Sequence, residues 1–179
     1  PAAELPLVAV CLDAVVEVAG PNGPREIAVT DFYRGYYETA LHADELALAV
    51  RFPAPALPAG VRRGTAFLEM SRRESDFALV GAAAQIEVDV RARRVIGVRL
   101  GLLGVAETPF RFRAGEALVR AASDPPAAFA NVARAAADAI EPDTDLHATA
   151  GYRRSVAATL LQRALDAAWL HALVAEPPA

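Results

Sequence analysis

The chain has 179 residues, of which 54% are hydrophobic and 22% charged, and its formal net charge is −4. This length predicts one domain or two small ones with a real core, and the acidic balance argues against a general nucleic-acid surface. No apolar run approaches the ~20 residues that cross a bilayer, so no membrane span is predicted. The single cysteine, Cys11, excludes an intrachain disulfide or cysteine metal cluster; it is predicted to be a small buried side chain and favours a reducing, cytoplasmic location.

Short elements are predicted for the beginning of the chain. Residues 2–12 have the pattern of a helix, in which Pro6 is tolerable only in the first turn. The apolar residues expected on one side of this helix are Leu5, Val8 and Leu12. Strands over 15–18 and 26–29 flank Asn22-Gly23, which is a hairpin signal, although the two neighbouring prolines favour a longer loop.

The next segment predicts a turn, a strand and then a break. Asp31 is a candidate N-cap for a helical turn over 32–35, and alternating apolar residues predict a strand over 46–52. Residues 53–60 are rich in proline and lack periodicity, which is typical of a semi-stiff linker. We therefore place a domain boundary there, between residues 58 and 59.

Strands followed by helices are predicted beyond this linker. The strands are expected at 65–70, 79–90 and 95–105, with a turn at 92–94, and the helices at 114–122, 125–140 and 148–174. The last helix carries a broad apolar stripe at helical spacing, formed by Val156, Leu160, Leu161, Leu165, Trp169 and Leu173. The tail over 176–179 is expected to fray. A sheet with helices gathered on one side predicts an α+β fold.

Two linked stretches are not explained by hydrophobic patterning. Residues 31–40 pack four aromatic residues around Gly35 and run on through 44–53, while residues 71–80 place two arginines, two acids and an aromatic residue between apolar strands. In this order and at this spacing, they resemble the FAD-binding middle subunit of the molybdenum hydroxylases, the carbon monoxide dehydrogenase and xanthine dehydrogenase group. The resemblance covers essentially the whole chain.

The resemblance implies two domains and an incomplete start. Residues 1–58 would form the C-terminal part of an FAD-binding domain of the molybdopterin dehydrogenase type. Residues 59–179 would form a flavoprotein C-terminal domain, with a three-stranded antiparallel sheet and a helical cluster. Two glycine-rich loops that grip the FAD pyrophosphate in this family are not in the sequence, and Met70 is its only methionine. We therefore expect the chain to be a fragment holding the second half of a flavin subunit.

The same resemblance implies FAD contacts in the loop over 72–77. In relatives this loop reaches toward the isoalloxazine ring, with an acid at the position of Asp76 and an aromatic residue, often tyrosine, at that of Phe77. A ring at Phe77 would stack on the flavin without supplying a phenolic hydroxyl. A lysine of some relatives falls on Glu69 or Leu68, according to the alignment. The alternative for this loop is a charged turn with internal ion pairs.

Three further residues are implied at the flavin. Glu4 falls where relatives have an aspartate that accepts hydrogen bonds from FAD, and its alternative role is to satisfy the dipole of the first helix. Glu45 and Leu46, with Ala47, match a strand that lies along the ring system. The backbone there would bond the pyrimidine edge while Leu46 packs on the ring. A plain core strand is the compatible alternative.

The other candidates favour structural roles. The tyrosines of residues 33–37 are predicted to pack around Gly35, and Tyr152-Arg153-Arg154 to serve helix capping and subunit contact. The three histidines share no ligand spacing, so no metal site is predicted. Ser71 and Ser155 lack an evident base, so no catalytic residue is assigned.

The implied function is electron transfer within a larger complex. A molybdopterin-binding large subunit would oxidise the substrate, and a [2Fe-2S] small subunit would relay the electrons to FAD. The FAD would pass them to an acceptor whose identity stays open. The chain would then be the flavin-containing part of an oxidoreductase. The alternative is a module that docks partner subunits without binding flavin on its own.

Overall fold

The structure is a computed structural model that describes residues 3–54, 56–73 and 76–174. The first unit contains α1 (Glu4–Cys11), β1 (Val15–Gly20), β2 (Gly23–Ala28), α2 (Val29–Phe32), β3 (Tyr33–Gly35), β4 (Glu38–Thr39) and β5 (Leu46–Arg51). The second contains β6 (Val61–Ser71), β7 (Ala78–Asp89), β8 (Arg94–Leu103), β9 (Phe110–Arg111), α3 (Arg113–Ala121), α4 (Pro125–Ala139) and α5 (Ala150–Val174). The predicted α+β class is confirmed. Residues 176–179, for which fraying was predicted, lie outside the described residues.

The first unit is built on an antiparallel sheet with the strand order β2-β1-β5. Its hairpin is tighter than predicted, because Gly20 pairs directly with Gly23 and only Pro21 and Asn22 form the turn. Gly23 has a φ of +96°, which a residue with a side chain rarely adopts. Pro24 is accommodated because β2 is an outer strand. The longer loop expected from the prolines was therefore wrong.

The helices of the first unit also depart from the predictions. In α1 the buried residues are Leu7, Ala9, Val10 and Cys11, whereas Leu5 is 75% exposed. The predicted single apolar face was wrong because α1 lies between two cores and is buried on two sides. Asp31 lies inside the short helix α2 and does not cap it.

The second unit contains the antiparallel sheet β6-β7-β8-β9. The three long strands were predicted, and the two-residue strand β9 is an addition at the edge next to β8. The turn between β7 and β8 was also predicted, and Arg93 takes a φ of +49° within it. Residues 53, 54 and 56–58 of the predicted linker have no regular structure, and Pro55 lies outside the described residues.

The three helices of the second unit cover one face of this sheet. The Asp124 side chain accepts a hydrogen bond from Ala127 N, so it caps α4, and Pro125 follows at the first helical position. The predicted stripe of α5 is confirmed, with Leu161 and Leu165 fully buried against the sheet. Gly64 of β6 lets the α5 backbone approach closely, since a Cβ there would lie 1.9 Å from Ala168 O.

The opposite face of the same sheet receives α1. Leu7 and Cys11 pack there with Ala78, Ala83 and Leu103. Gly101 of β8 forms the seat, because a Cβ on it would lie 2.5 Å from Cys11 Sγ and 2.7 Å from Leu7 Cδ1. Ala9 and Val10 of the same helix belong to the core of the first unit. The helix therefore joins the two units.

Candidate functional site

A cavity of about 490 Å³ lies between the N-terminal end of α1 and the residues that lead into β7. Its lining residues are Ala3, Glu4, Leu5, Pro6, Asp76, Phe77 and Ala78. Phe77 is 82% exposed and Leu5 75% exposed, so two apolar side chains border the opening without filling it. The fold thus brings together three residues predicted to contact FAD, namely Glu4, Asp76 and Phe77.

The loop before β7 is held by its own polar groups. Asp76 Oδ1 accepts a hydrogen bond from Phe77 N at 2.8 Å, and Asp76 N donates to Arg73 O at 3.2 Å. The Asp76 carboxylate therefore fixes the backbone at the point where Phe77 projects. Glu74 and Ser75 of the same loop lie outside the described residues.

Glu69 lies next to Glu4. Partial desolvation raises the pKa of Glu69, and the Glu4 carboxyl beside it raises that pKa further through charge and a shared hydrogen bond. Two neighbouring carboxyl groups ionise less readily together than apart, because their negative charges repel. This corner of the site is acidic and carries no basic side chain at position 69.

A second cavity, of about 250 Å³, shares the same loop. It is lined by Asp76 and Phe77 together with Tyr36, Arg72, Ala78, Leu79, Gly104, Ala106, Asp143, Asp145, His147 and Arg153. Tyr36 Oη donates to Asp143 Oδ2 at 3.0 Å, which links the two units across 107 residues of sequence. Desolvation, and then the bond to Asp143, raises the pKa of Tyr36. Sequence reasoning identified Asp76 but missed the other two acidic residues of this cavity, Asp143 and Asp145.

The tyrosines near Gly35 do not form the packed cluster that was predicted. Tyr33 is half-buried and meets Phe32 edge-on, with ring centroids 5.2 Å apart. Tyr36 turns toward Asp143, and Tyr37 is fully exposed with a φ of +56°. Only Tyr33 therefore has the structural packing role expected of all three.

Arg153 ties the rim of the second cavity together. Its side chain, 9% exposed, donates to Leu79 O, to Gly104 O at 3.0 Å and to Asp145 Oδ2 at 2.7 Å. Asp145 also accepts hydrogen bonds from two backbone amides that follow it, and these bonds are the main reason that its pKa is lowered. Arg153 thus joins the loop before α5 to the sheet and does not cap the helix; the side chain that accepts a hydrogen bond at the start of α5 is Thr149, from Tyr152 N at 3.2 Å.

Glu45 is engaged within the first unit. Its carboxylate receives two hydrogen bonds from Arg25, at 2.6 and 2.7 Å, and one from His42 N at 2.8 Å. The bonds from Arg25 are the largest cause of its low pKa, about 2. Direct flavin contact through this carboxylate would compete with those bonds. The groups of this segment that remain accessible to a flavin are the Leu46 side chain, which is 70% exposed, and the backbone of the outer strand β5.

Glu45 and Leu46 are not among the residues that line the cavity of Glu4 and Phe77. Leu46 begins β5 in the sheet of the first unit, and Glu45 directly precedes that strand. Of the six residues predicted to contact FAD, three share this cavity, Glu69 adjoins Glu4, and two lie apart. Their roles toward FAD stay predictions.

A charged cluster fastens α1 to the second unit. Arg111 donates to Val10 O at 3.2 Å, to the Asp13 carboxylate and to Glu116 Oε1 at 2.7 Å. Arg99 and Arg113 also pair with Asp13, at 3.4 and 3.6 Å. Cys11 is the last residue of α1 and packs on the sheet of the second unit, and burial raises the pKa of its thiol to about 12.

Two kinds of feature are absent from the residues that the structure describes. Over 3–54, 56–73 and 76–174, no three His, Cys, Asp or Glu side chains are grouped so that they could hold a metal ion. Among the helices in those same ranges, none combines the length and apolar character needed to span a membrane.

Comparisons with known proteins match both parts of the chain. The family model described as the CO dehydrogenase flavoprotein C-terminal domain matches residues 65–168. The model described as the FAD binding domain in molybdopterin dehydrogenase matches residues 1–55.

Individual relatives agree with these models. The carbon monoxide dehydrogenase medium chain of Afipia carboxidovorans is 36% identical over 94% of this chain and 56% of its own length. The 6-hydroxypseudooxynicotine dehydrogenase complex subunit alpha of Paenarthrobacter nicotinovorans is 32% identical over 92% of this chain and 54% of its own length. A solved structure of quinoline 2-oxidoreductase from Pseudomonas putida 86 superposes with a TM-score of 0.86 at 30% identity, over 96% of this chain and 57% of that one. The chain thus spans little more than half the length of the relatives it matches.

Proposed function

We propose that this chain, which belongs to the CO dehydrogenase flavoprotein family, forms the isoalloxazine-facing part of an FAD site in an electron-relay subunit. The observation that carries the proposal is the cavity between α1 and β7. The exposed side chains of Phe77 and Leu5 border this cavity, and Glu4 also lines it. An aromatic side chain that is 82% exposed lacks the burial that usually accompanies a purely structural role.

The residues present fit a flat aromatic cofactor. Phe77 offers a ring face for offset stacking, and Leu5 an apolar edge. Glu4, when ionised, accepts hydrogen bonds only, which suits the N–H groups of a flavin ring. Asp76 keeps the backbone of Phe77 in place, so the point from which the stacking ring projects is fixed before the cofactor arrives.

The chemistry itself would belong to the cofactor. Bound FAD supplies the capacity to accept and pass on one or two electrons, while the protein supplies binding and orientation. On this proposal Phe77 orients the ring and limits access of water, and Glu4 anchors one edge. Leu46 and the start of β5 would cover a further part of the ring, as the family resemblance predicts. No residue of this chain is assigned a bond-making role.

The partner subunits are part of the same proposal. The names of the relatives, "medium chain" and "complex subunit alpha", describe members of multi-subunit enzymes. We propose that a molybdopterin-binding large subunit and a [2Fe-2S] small subunit deliver electrons to the FAD, in a cytoplasmic complex. Substrate choice would then lie on another chain.

The test is replacement of Phe77 in the subunit at its full natural length. We expect Phe77→Ala to lose about 1–2 kcal/mol of stacking and burial, which weakens FAD binding about 5- to 30-fold and shifts the flavin absorption bands. Leu118→Ala is the matched control, because Leu118 is a half-exposed side chain on α3 outside this cavity. Fluorescence titration with FAD measures the affinity of both variants, and their absorption spectra show the band shift.

The alternative, a docking module, predicts different results. If the full-length subunit does not bind FAD, the flavin proposal is wrong and subunit docking replaces it. If it binds FAD but Phe77→Ala and Leu118→Ala behave alike, the assignment of this cavity is wrong. Titration of the 179-residue chain by itself then tells how much of the affinity these residues provide.

A further inference from the structure

We propose that Arg111 is a positioning residue, which sets the spacing of the two walls of the candidate flavin cavity by acting through α1. The inference rests on the proposed function for its consequence, but its structural part is independent of FAD. One wall of the cavity is the N-terminal end of α1, and the other is the loop that enters β7. These walls belong to different units of the fold.

The contacts of Arg111 bridge the two units. Its side chain is only 9% exposed, and it donates to Val10 O at the C-terminal end of α1 and to the Asp13 carboxylate that follows. On its other side it pairs with Glu116 of α3 at 2.7 Å. Glu116 is itself buried and accepts a hydrogen bond from Leu100 N of β8 at 3.1 Å. The guanidinium therefore joins the end of α1 to the frame of the second unit.

Apolar contacts alone give this helix little directional restraint. The seat beneath α1 combines the small residues Gly101, Ala78 and Ala83 with the apolar side chain of Leu103, and Leu7 and Cys11 pack against it. Such a surface permits close approach but is compatible with tilting or sliding, because it offers no directional bond. The guanidinium group of Arg111 supplies directional hydrogen bonds at one end of the helix.

The opposite end of α1 carries Glu4. Eight residues of helix span about 12 Å, so a tilt of about 10° around the Arg111 end displaces Glu4 by roughly 2 Å. Displacements of this size are large for a binding site, because a misplacement of about 1 Å can change rates by 100-fold. Arg111 would thus keep Glu4 in register with Phe77 without touching the cofactor.

The experiment compares Arg111→Gln with Arg113→Gln in the full-length subunit. Arg113 is a suitable control because it also pairs with Asp13, at 3.6 Å, but its side chain is 63% exposed. The first readout is the rate of alkylation at Cys11, resolved by peptide mass spectrometry, since this thiol is buried beneath α1. The second is the FAD dissociation constant, together with the flavin absorption spectrum.

We expect Arg111→Gln to be alkylated at Cys11 at least tenfold faster and to bind FAD about tenfold more weakly. Arg111→Lys should recover part of both changes, because one charge and one donor group remain, and Arg113→Gln should match the wild type. If Arg111→Gln fails to fold, the double variant Arg111→Gln/Glu116→Gln removes the buried carboxylate left without its partner, and the same two readouts apply.

In a subunit that binds FAD, either of two results would overturn the inference. Wild-type alkylation of Cys11 in the variants means that α1 is held by its apolar contacts and not by Arg111. Faster alkylation with unchanged FAD affinity and spectrum means that Arg111 holds the helix but does not set the cavity. A wild-type subunit that binds no FAD overturns the proposed function and with it the cavity role, while the alkylation rates still decide whether Arg111 clamps α1.

Discussion

Replacement of Gly64 by alanine tests how closely α5 approaches the sheet of the second unit. A Cβ at this position would lie 1.9 Å from Ala168 O and 2.4 Å from Ala172 N, and both atoms are backbone. Real Cβ atoms hardly ever approach a heavy atom within 3.0 Å, so the helix must move away by about 1 Å. The buried residues of α5 would lose contact with β6 and β7 as it moves.

The size of the effect follows from the cost of overpacking. Inserting a methyl group into a packed interface typically costs about 1–3 kcal/mol. We expect the upper end here, about 3 kcal/mol, because a helix backbone cannot rotate aside as a side chain can. For a chain of this length, that free energy lowers the melting temperature by about 6–12 °C. Calorimetry on the cofactor-free chain measures the shift.

Gly151 provides the matched control. It lies in the first turn of the same helix, and a Cβ there would meet no atom within 4 Å. Gly151→Ala should therefore stabilise the chain by up to about 1 kcal/mol, since alanine is the better helix former. The two variants make the same chemical change and are expected to shift the melting temperature in opposite directions. An unchanged or higher melting temperature for Gly64→Ala would refute the close packing of α5 on β6.

Two further predictions concern charged residues. The pKa of Glu45 is lowered from the usual 4.5 to about 2, so its stabilising effect is complete above pH 4.5 and is lost as the pH falls toward 2. The difference in melting temperature between wild type and Glu45→Gln should therefore shrink over that range, and a constant difference would contradict the role of Arg25. Arg153→Met should lower the free energy of unfolding, measured in urea, by about 3 kcal/mol, because the carbonyls of Leu79 and Gly104 lose this donor. Arg154→Met loses one such bond, to Ile140 O, and should lower the free energy of unfolding clearly less.

Periodicity was sufficient for the large elements of the second unit. The alternation around Ile86 and Val88 and the stripe around Leu161 and Leu165 reflect burial in one continuous core, which calls for an apolar face on each element. The same reasoning failed for α1, because a short helix between two cores has no single apolar face. The tightness of the hairpin at Gly23 was missed because a proline on an outer strand does not lengthen a turn.

The site was predictable only in part, for a related reason. The family resemblance implied Glu4, Asp76 and Phe77 as FAD contacts, which stays a prediction, and the fold places the three residues at one cavity. It did not reveal that Arg25 engages the carboxylate of Glu45, or that Tyr36 reaches Asp143. These contacts join residues 20 and 107 positions apart, and no local pattern of residue types encodes such a pairing.

The position of α1 also bears on how this architecture can be divided or recombined. The proline-rich segment is the natural place to cut the polypeptide, yet a cut there would separate Leu7 and Cys11 from the sheet on which they pack. The helix belongs to the first part by sequence and to both parts by burial. A chimaera that exchanges the second unit between relatives should therefore exchange residues 3–13 with it, so that the helix, its glycine seat and the arginine that binds its end stay matched.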